Sequence, residues 1–314
     1  MKINIITKNG ALHNNNIRMQ GGMKPVWNAV KGLKSIGVEC VYNEDMRENE
    51  YNWIHDDLDS YMLASVYKKP VIAGPNLVIS PIDFPIIRLK PHPQSIYIMS
   101  SDWNKEYFIK MGFNDCKLMV WTLGGIDTEN FCFMDRNNNN KKALIYFKNR
   151  DRKLLNDVVD IISGMEINYD IMYYGMYTEE EYKNKLKNSS FGIWIGRHES
   201  FGFALLEALS TGLPLIVLEP KSLLDEMGDD GYPHFNKNYY YLYNDINSNL
   251  KVSSAPYFDD KCGIKIDSID KLNESILIIN NNPNLYSPRE YIIENLSLQI
   301  SAIKFKKIAS LLYT

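Results

Sequence analysis

The amino-acid sequence predicts an α/β protein of two halves, each a parallel sheet flanked by helices. Three observations carry this. Short apolar runs alternate with segments of helical pattern along most of the chain, as successive strand–helix–strand units require. The stretch Asp135–Lys142, DRNNNNKK, has no apolar residue, and a new apolar run, Ala143–Phe147, begins at once after it. Finally, residues 191–217 read as strand, tight loop, helix, short loop and strand, with Gly202, Gly212 and Pro214 as punctuation.

The first half opens with an apolar strand, Lys2–Thr7. A loop with Gly10, Asn14–Asn16, Gly21 and Gly22 follows, and Pro25 suits the first turn of a helix reaching about Ser35. Val38–Tyr42 reads as a second strand, Trp53 and Ile54 end a weak third, and Leu58–Tyr67 is helical. Val71–Ala73, Ile96–Met99 and Lys117–Trp121 are further short strands, with a helix near Trp103–Met111. Residues 76–95 are proline-rich and read as irregular loop. Beyond the linker, helix, strand and helix are expected at about 151–163, 169–174 and 178–188. Residues 219–262 are tyrosine-rich and poorly periodic, and read as an insertion with short strands. Ser268–Asn280 and Tyr286–Leu312 read as two terminal helices. The expected domains are residues 1–135, residues 136–290, and a final segment, 291–314, able to cross back to the first domain.

Composition narrows the class. The chain has 314 residues, 45% of them hydrophobic, enough for two cored domains, and its net charge of −3 gives no footprint for nucleic acid. Cys40, Cys116, Cys132 and Cys262 are scattered and form no C-x-x-C, so neither a zinc site nor a disulfide frame is indicated, and a reducing, cytoplasmic setting is the simplest reading. MKINIITKNG is a first strand rather than a signal peptide, and no apolar run approaches the ~18–20 residues that span a bilayer. The five histidines (His13, His55, His92, His198, His234) never pair at helical ligand spacing, so no metal is expected.

The most informative stretch is ESFGFALLEALSTGLPLIV, Glu199–Val217. Glu199 lies in the loop before a helix that starts near Phe201 or Gly202, and Glu207 lies roughly 8–9 Å further along its axis at 1.5 Å per residue. A helix N-terminus attracts anions. A carboxylate at its mouth and another along its first turns match a nucleotide sugar, with the sugar at Glu199, the ribose at Glu207 and phosphates at the helix start. The plainer alternative is that Glu199 caps the helix and Glu207 is solvated. Lys148, Arg150, Arg152 and Lys153 cluster just after the strand 143–147, at the carboxyl edge where such sheets bind ligands. So many cations at a helix start oppose its dipole unless an anion joins them. Gly21 and Gly22 could let backbone approach a phosphate or an acceptor, or could simply turn the chain.

Glu199, Ser200, Phe201, Gly202, Glu207, Ala208, Gly212 and Pro214 all fall where family 4 glycosyltransferases carry their E-x7-E signature, and the chain resembles that family. FGIWIGRHES, LIYFKNR (Leu144–Arg150), GGIDTENF (Gly124–Phe131) and GPNLV (Gly74–Val78) are similar to a compact subgroup from large DNA viruses and some bacteria. The likeness runs over most of the chain and is strong in the second half. It implies the GT-B fold, two Rossmann-like domains facing across a cleft, and a retaining, metal-independent transfer of a sugar from a nucleotide sugar to a hydroxyl of a glycan or other acceptor. By the same resemblance, Glu199 orients the donor sugar, and Lys148, Arg150 or Lys153 holds the diphosphate. Ser200, Phe201, Gly202, Phe203 and Glu207 line the donor, and Gly21 and Gly22 match the family's glycine-rich first loop. The usual Gly-Arg context before the basic pair is missing, which leaves Arg150 level with Lys148 and Lys153.

Other readings share parts of this pattern. A GT-B nucleotide-sugar epimerase or a non-catalytic sugar-nucleotide-binding protein would carry the same motif. Asp57-Leu58-Asp59 is a D-x-D, which metal-dependent GT-A transferases use, but it sits where a helix begins. Asp127 reads as a turn cap for Thr128–Phe131. Lys304, Lys306 and Lys307, like Lys24, Lys31 and Lys34 beside Trp27, could touch an anionic membrane; packing helices with a solvated basic edge are the favoured reading. Donor base, sugar, acceptor and oligomeric state are not encoded in these patterns.

Overall fold

A computed structural model of the protein describes residues 1–8, 22–77, 92–113, 116–136, 142–222 and 250–313. Gly21, most of the polar linker, the prolines within 78–91 and the tyrosine-rich stretch 223–249 lie outside the described residues. The chain divides into two compact units, residues 1–125 with 295–314, and residues 126–294.

The first unit carries β1 (Lys2–Ile6), α1 (Lys24–Ser35), β2 (Glu39–Tyr42), β3 (Tyr51–Ile54), α2 (Leu58–Val66), β4 (Ile72–Ala73), β5 (Ile96–Met99), α3 (Asp102–Lys110) and β6 (Lys117–Val120). Its sheet runs β2-β1-β3-β4-β5-β6 with every pairing parallel. Ile3, Ile5, Ile54, Ile72 and Ile98 are buried, because a parallel sheet is covered by helices on both faces and its strands must be apolar on both sides. Pro25 lies in the first turn of α1, where its missing N–H costs nothing. Asp57 is the N-cap of α2, its carboxylate accepting from the Asp59 and Ser60 backbone N–H groups, and Lys8 pairs with Asp59 at 2.6 Å. The D-x-D is thus a helix start.

The second unit carries β7 (Lys142–Lys148), α4 (Arg152–Gly164), β8 (Asn168–Tyr173), α5 (Glu179–Lys187), β9 (Phe191–Gly196), α6 (Phe203–Ser210), β10 (Leu215–Leu218), β11 (Gly263–Ile266), α7 (Leu272–Asn281) and α8 (Pro288–Leu296). The sheet order is β11-β10-β9-β7-β8, again all parallel. Every residue of β9 is buried. Its core contains Ile145, Phe147, Val158, Ile162, Ile193, Ile195, Ile216 and Ile276. Each such apolar side chain contributes roughly 1.5–3 kcal/mol when fully buried.

One expectation changes. Tyr286–Leu312 is not one helix: α8 ends at Leu296, Ser297 is extended (φ −61°, ψ 159°), and α9 (Leu298–Ser310) starts anew. Ser297 is the N-cap of α9 by its backbone alone, with no side-chain cap bond. The second helix belongs to the first unit. There Phe305 packs on Trp53 and Trp121, and Ser301 accepts the Trp121 indole N–H at 2.9 Å. Gly32 of α1 makes the approach feasible, since a Cβ there would lie 2.4 Å from the Leu298 carbonyl oxygen. Of the tyrosine-rich insertion only residues 219–222 and 250–262 are described, without a strand, and the rest of that expectation lies outside the described residues; β11 follows, too short for its alternation to stand out.

Candidate functional site

In the second unit the strand order reverses direction between β7 and β9, and a parallel sheet binds ligands outside the carboxyl ends of its strands at such a reversal. Lys148 ends β7 and pairs in register with Gly196, which ends β9. The side chains that leave this edge are those of the 148–150 and 197–203 loops.

α6 begins later than its sequence suggests, at Phe203. Gly202 is its N-cap with φ +88°, a left-handed conformation that a side chain makes costly, so glycine is required for the sharp entry. Glycine offers no capping oxygen, and the first turn has no acidic residue. The cap and the first turn of α6 thus set no charge of their own against the positive end of the helix. Its negative end is the reverse. The Arg136 guanidinium donates to the Thr211 carbonyl at 2.8 Å and its hydroxyl at 2.6 Å, and Arg289 donates to the Ser210 carbonyl at 2.6 Å and to those of Phe131 and Thr128. Burial pulls Arg136 down to about 10, still charged at neutral pH. Two arginines close the carboxyl end of α6, and neither was anticipated; each lies far from the helix in sequence.

Glu199 and Lys148 form an ion pair at 2.5 Å, with side chains 14% and 17% exposed. The Lys148 ammonium also sits 4.4 Å from the centre of the Tyr174 ring. The Glu199 backbone N–H donates to the Ser253 carbonyl at 2.9 Å, and Glu219 holds that loop from the other side through Ser253 and the Ser254 N–H. Glu207 is 4% exposed, four residues into α6, or about 6 Å along its axis; it is not a solvated residue. Ser200 is exposed, whereas Phe201 is buried against Phe203 and Tyr257 and anchors the loop.

The basic cluster separates. Lys148 faces Glu199. Arg150 donates to the Gly196 and Leu218 carbonyls at 2.9 and 3.2 Å, tying its loop to the ends of β9 and β10. Lys153 is exposed in the first turn of α4, where Asp151 is the cap that accepts its backbone N–H.

An aromatic group that sequence reasoning passed over lines the same edge. Tyr146 of β7 stacks on Trp194 of β9 at 4.1 Å with rings 6° from parallel. Its hydroxyl lies 2.9 Å from that of Tyr177, whose ring packs 5.4 Å from Tyr182, and Tyr182 donates to the Ala204 carbonyl in the first turn of α6. The Tyr-Tyr-Gly-Met-Tyr run from Tyr173, the last residue of β8, to Tyr177 was the one signal of this group in the sequence.

In the first unit Gly22 accepts through its carbonyl from the Nε2–H of buried His55 (2.9 Å) and from Asn76 (3.0 Å). A carbonyl only accepts, so Nε2 carries the proton, and Nδ1 has no partner. Burial pushes the His55 pKa down, against weaker upward effects of the Gly22 bond and Asp56. A histidine depressed below its unfolded value of about 6.5 stays neutral in the fold while the unfolded chain takes up a proton. Stability is thus expected to be full above pH 6.5 and to fall as pH drops below it. Thermal midpoints measured from pH 8 to pH 5 are expected to fall less steeply in His55→Gln than in the parent; equal slopes would refute this. Asp127 accepts from the Glu129 and Asn130 N–H groups, capping its turn.

Among the described residues no group of three or more His, Cys, Asp or Glu could hold a metal ion, and no helix is long and apolar enough to cross a membrane. No protein-family profile matches the chain, and no curated sequence is detectably similar to it. Solved structures are. A sucrose-phosphate synthase from Thermosynechococcus elongatus superposes with a TM-score of 0.55 at 8% identity, over 99% of both chains. The lipopolysaccharide outer core galactosyltransferase WaaB, in its apo form, gives 0.56 at 11% identity over 98% of this chain and 99% of its own. The catalytic domain of starch synthase IV from Arabidopsis thaliana, bound to ADP and acarbose, gives 0.56 at 8% identity over 100% and 99%. With the two parallel sheets described above, these likenesses show that the chain has a GT-B-type α/β fold of two Rossmann-like domains.

Proposed function

We propose that the protein is a retaining glycosyltransferase, metal-independent, that moves a sugar from a nucleotide-sugar donor to a hydroxyl of a glycan or other acceptor. The observation that carries the reading is the N-terminus of α6, entered through left-handed Gly202 at the reversal of the second sheet, with Glu199 and Lys148 before it and Glu207 one turn inside. The fold is shared with a galactosyltransferase and a starch synthase domain that holds ADP, which favours the same class of ligand.

In this reading the diphosphate lies at the α6 N-terminus and draws Lys148 from Glu199. The positive helix end and the ammonium stabilise the leaving nucleoside diphosphate, so no metal is needed for that charge. Freed of Lys148, Glu199 accepts from donor-sugar hydroxyls and, with the amides near Gly202 and Phe203, orients the ring as oxocarbenium-like charge grows at the anomeric carbon. Glu207 accepts from the ribose. Arg150 keeps the 148–150 loop in place through strand carbonyls, and Lys153 is a second, peripheral cation. The acceptor is assigned to the first domain, with Gly21 and Gly22 on its loop. Retention follows if the acceptor arrives on the face the diphosphate leaves, with no covalent enzyme intermediate.

The test is a screen of UDP-, GDP- and ADP-hexoses by thermal shift, followed by nucleoside diphosphate release with and without oligosaccharide acceptors and with EDTA. A shift of several degrees with one donor, acceptor-dependent release and no effect of EDTA are expected. Free nucleotide formed equally without acceptor would favour an epimerase-like or hydrolytic enzyme, and abolition by EDTA would overturn metal independence.

A further inference from the structure

Tyr177 has an unusual place. It is half-buried in the β8–α5 loop, and the backbone just after it is pinned by the capping box of α5, in which Thr178 and Glu181 bond reciprocally. Its ring rests on Tyr182, whose hydroxyl is tied to the first turn of α6. Among the described residues its hydroxyl has one hydrogen-bond partner, the Tyr146 hydroxyl. Tyr146 is 1% exposed, and among the described residues its own proton has only Tyr177 to go to. A buried hydroxyl retains its hydrogen bond, so Tyr146 donates and Tyr177 accepts. Among the described residues the Tyr177 proton then has no acceptor, and the half-buried Tyr177 sits beside Tyr182, which is tied to the first turn of α6.

The electrostatics agree. Burial raises the Tyr177 phenol to about 12, against a lowering by the Tyr146 hydrogen bond and with the charges of Glu207 and, more weakly, Glu199 adding to the rise, so it stays a protonated donor at any working pH. A vicinal diol needs both kinds of partner: a carboxylate takes its two protons, and a donor meets one of its oxygens. Glu207 supplies the first and lacks the second.

We infer that Tyr177 is a donor-binding residue whose hydroxyl hydrogen-bonds a ribose oxygen beside Glu207, so that Tyr177 and Glu207 together select ribonucleotides over 2′-deoxyribonucleotides. The inference rests on the nucleotide-sugar reading of this site. The Tyr146 hydroxyl acts through Tyr177 and is a positioning group.

Calorimetric titration of the full chain with UDP, GDP and ADP and with their 2′-deoxy counterparts tests it. The parent is expected to bind one ribonucleotide about tenfold or more tightly over its 2′-deoxy form. Tyr177→Phe is expected to lose about three- to tenfold of that preference, the range of one neutral hydrogen bond, while its affinity for the 2′-deoxy form is unchanged. Because Tyr177→Phe strands the Tyr146 hydroxyl, the double variant Y146F/Y177F, which removes both partners at constant shape, is measured beside it and is expected to show the same loss with a thermal midpoint near the parent's. An unchanged preference in the folded double variant overturns the role of Tyr177 alone. So does an equal weakening of ribo and deoxy forms, which marks a packing role. Failure of the parent to bind any of the three nucleotides overturns the nucleotide-sugar reading itself, and this inference with it.

Discussion

Glu199→Gln is expected to lower turnover of the nucleotide sugar by about 10²–10³-fold, the scale of removing one preorganised electrostatic contact in a water-poor site. The substitution keeps the shape of the side chain and a hydrogen-bonding oxygen toward Lys148 but removes the charge that the Lys148 ammonium faces at 2.5 Å. Lys148 is not stranded, because the Tyr174 ring lies 4.4 Å below it. The stability cost is therefore expected to be small, about 1–2 kcal/mol, less than the 3–5 kcal/mol of breaking a fully buried pair. Glu199→Ala is expected to lose as much activity with a larger drop in thermal midpoint. Steady-state nucleoside diphosphate release with the preferred donor, read beside a thermal melt, separates the two effects. Activity within threefold of the parent in folded Glu199→Gln would remove Glu199 from the donor, leaving it a brace between Lys148 and the Ser253 loop.

The second large effect concerns stability. Arg289→Ala is expected to cost about 2–4 kcal/mol, since three carbonyls (Thr128, Phe131 and Ser210) lose a charged donor at once and are left in a partly buried place. Arg289→Lys is expected to recover little, because a single ammonium cannot span carbonyls that the guanidinium fork reaches in two directions. Denaturant midpoints measure both. Because Arg289 and Arg136 also hold the negative end of α6, the Arg289→Ala variant is expected to weaken anion binding at the opposite end by loosening the helix. A variant as stable as the parent would show that the carbonyls find water instead.

The extent to which these sites were legible follows from the range of each interaction. The strands and helices of both units were readable because alternation and helical spacing are local, and the Glu199–Glu207 pair could be assigned to a loop and a helix from Gly202, Gly212 and Pro214 alone. The exact start of α6 was not: the sequence placed it near Phe201 or Gly202, whereas left-handed Gly202 is the cap and the helix begins at Phe203. Four cations within six residues looked like one cluster; the fold sends Arg150 to strand carbonyls and Lys148 to a carboxylate 51 positions away. No periodicity reports a turn made by Ser297, where the terminal helix breaks and its second half joins the first unit.

By itself the sequence determined that this is a two-domain parallel α/β chain with a carboxylate at the mouth of one helix and another one to two turns within it. Hydrophobic patterning and glycine and proline placement act over a few residues, and a single chain displays them openly. Tertiary structure alone decided which charges meet: Lys148 with Glu199, Arg136 and Arg289 with the far end of α6, Tyr146 with Tyr177. Those partners are set by the order in which strands assemble, β7 between β8 and β9, and strand order brings together residues whose separation along the chain carries no trace of it.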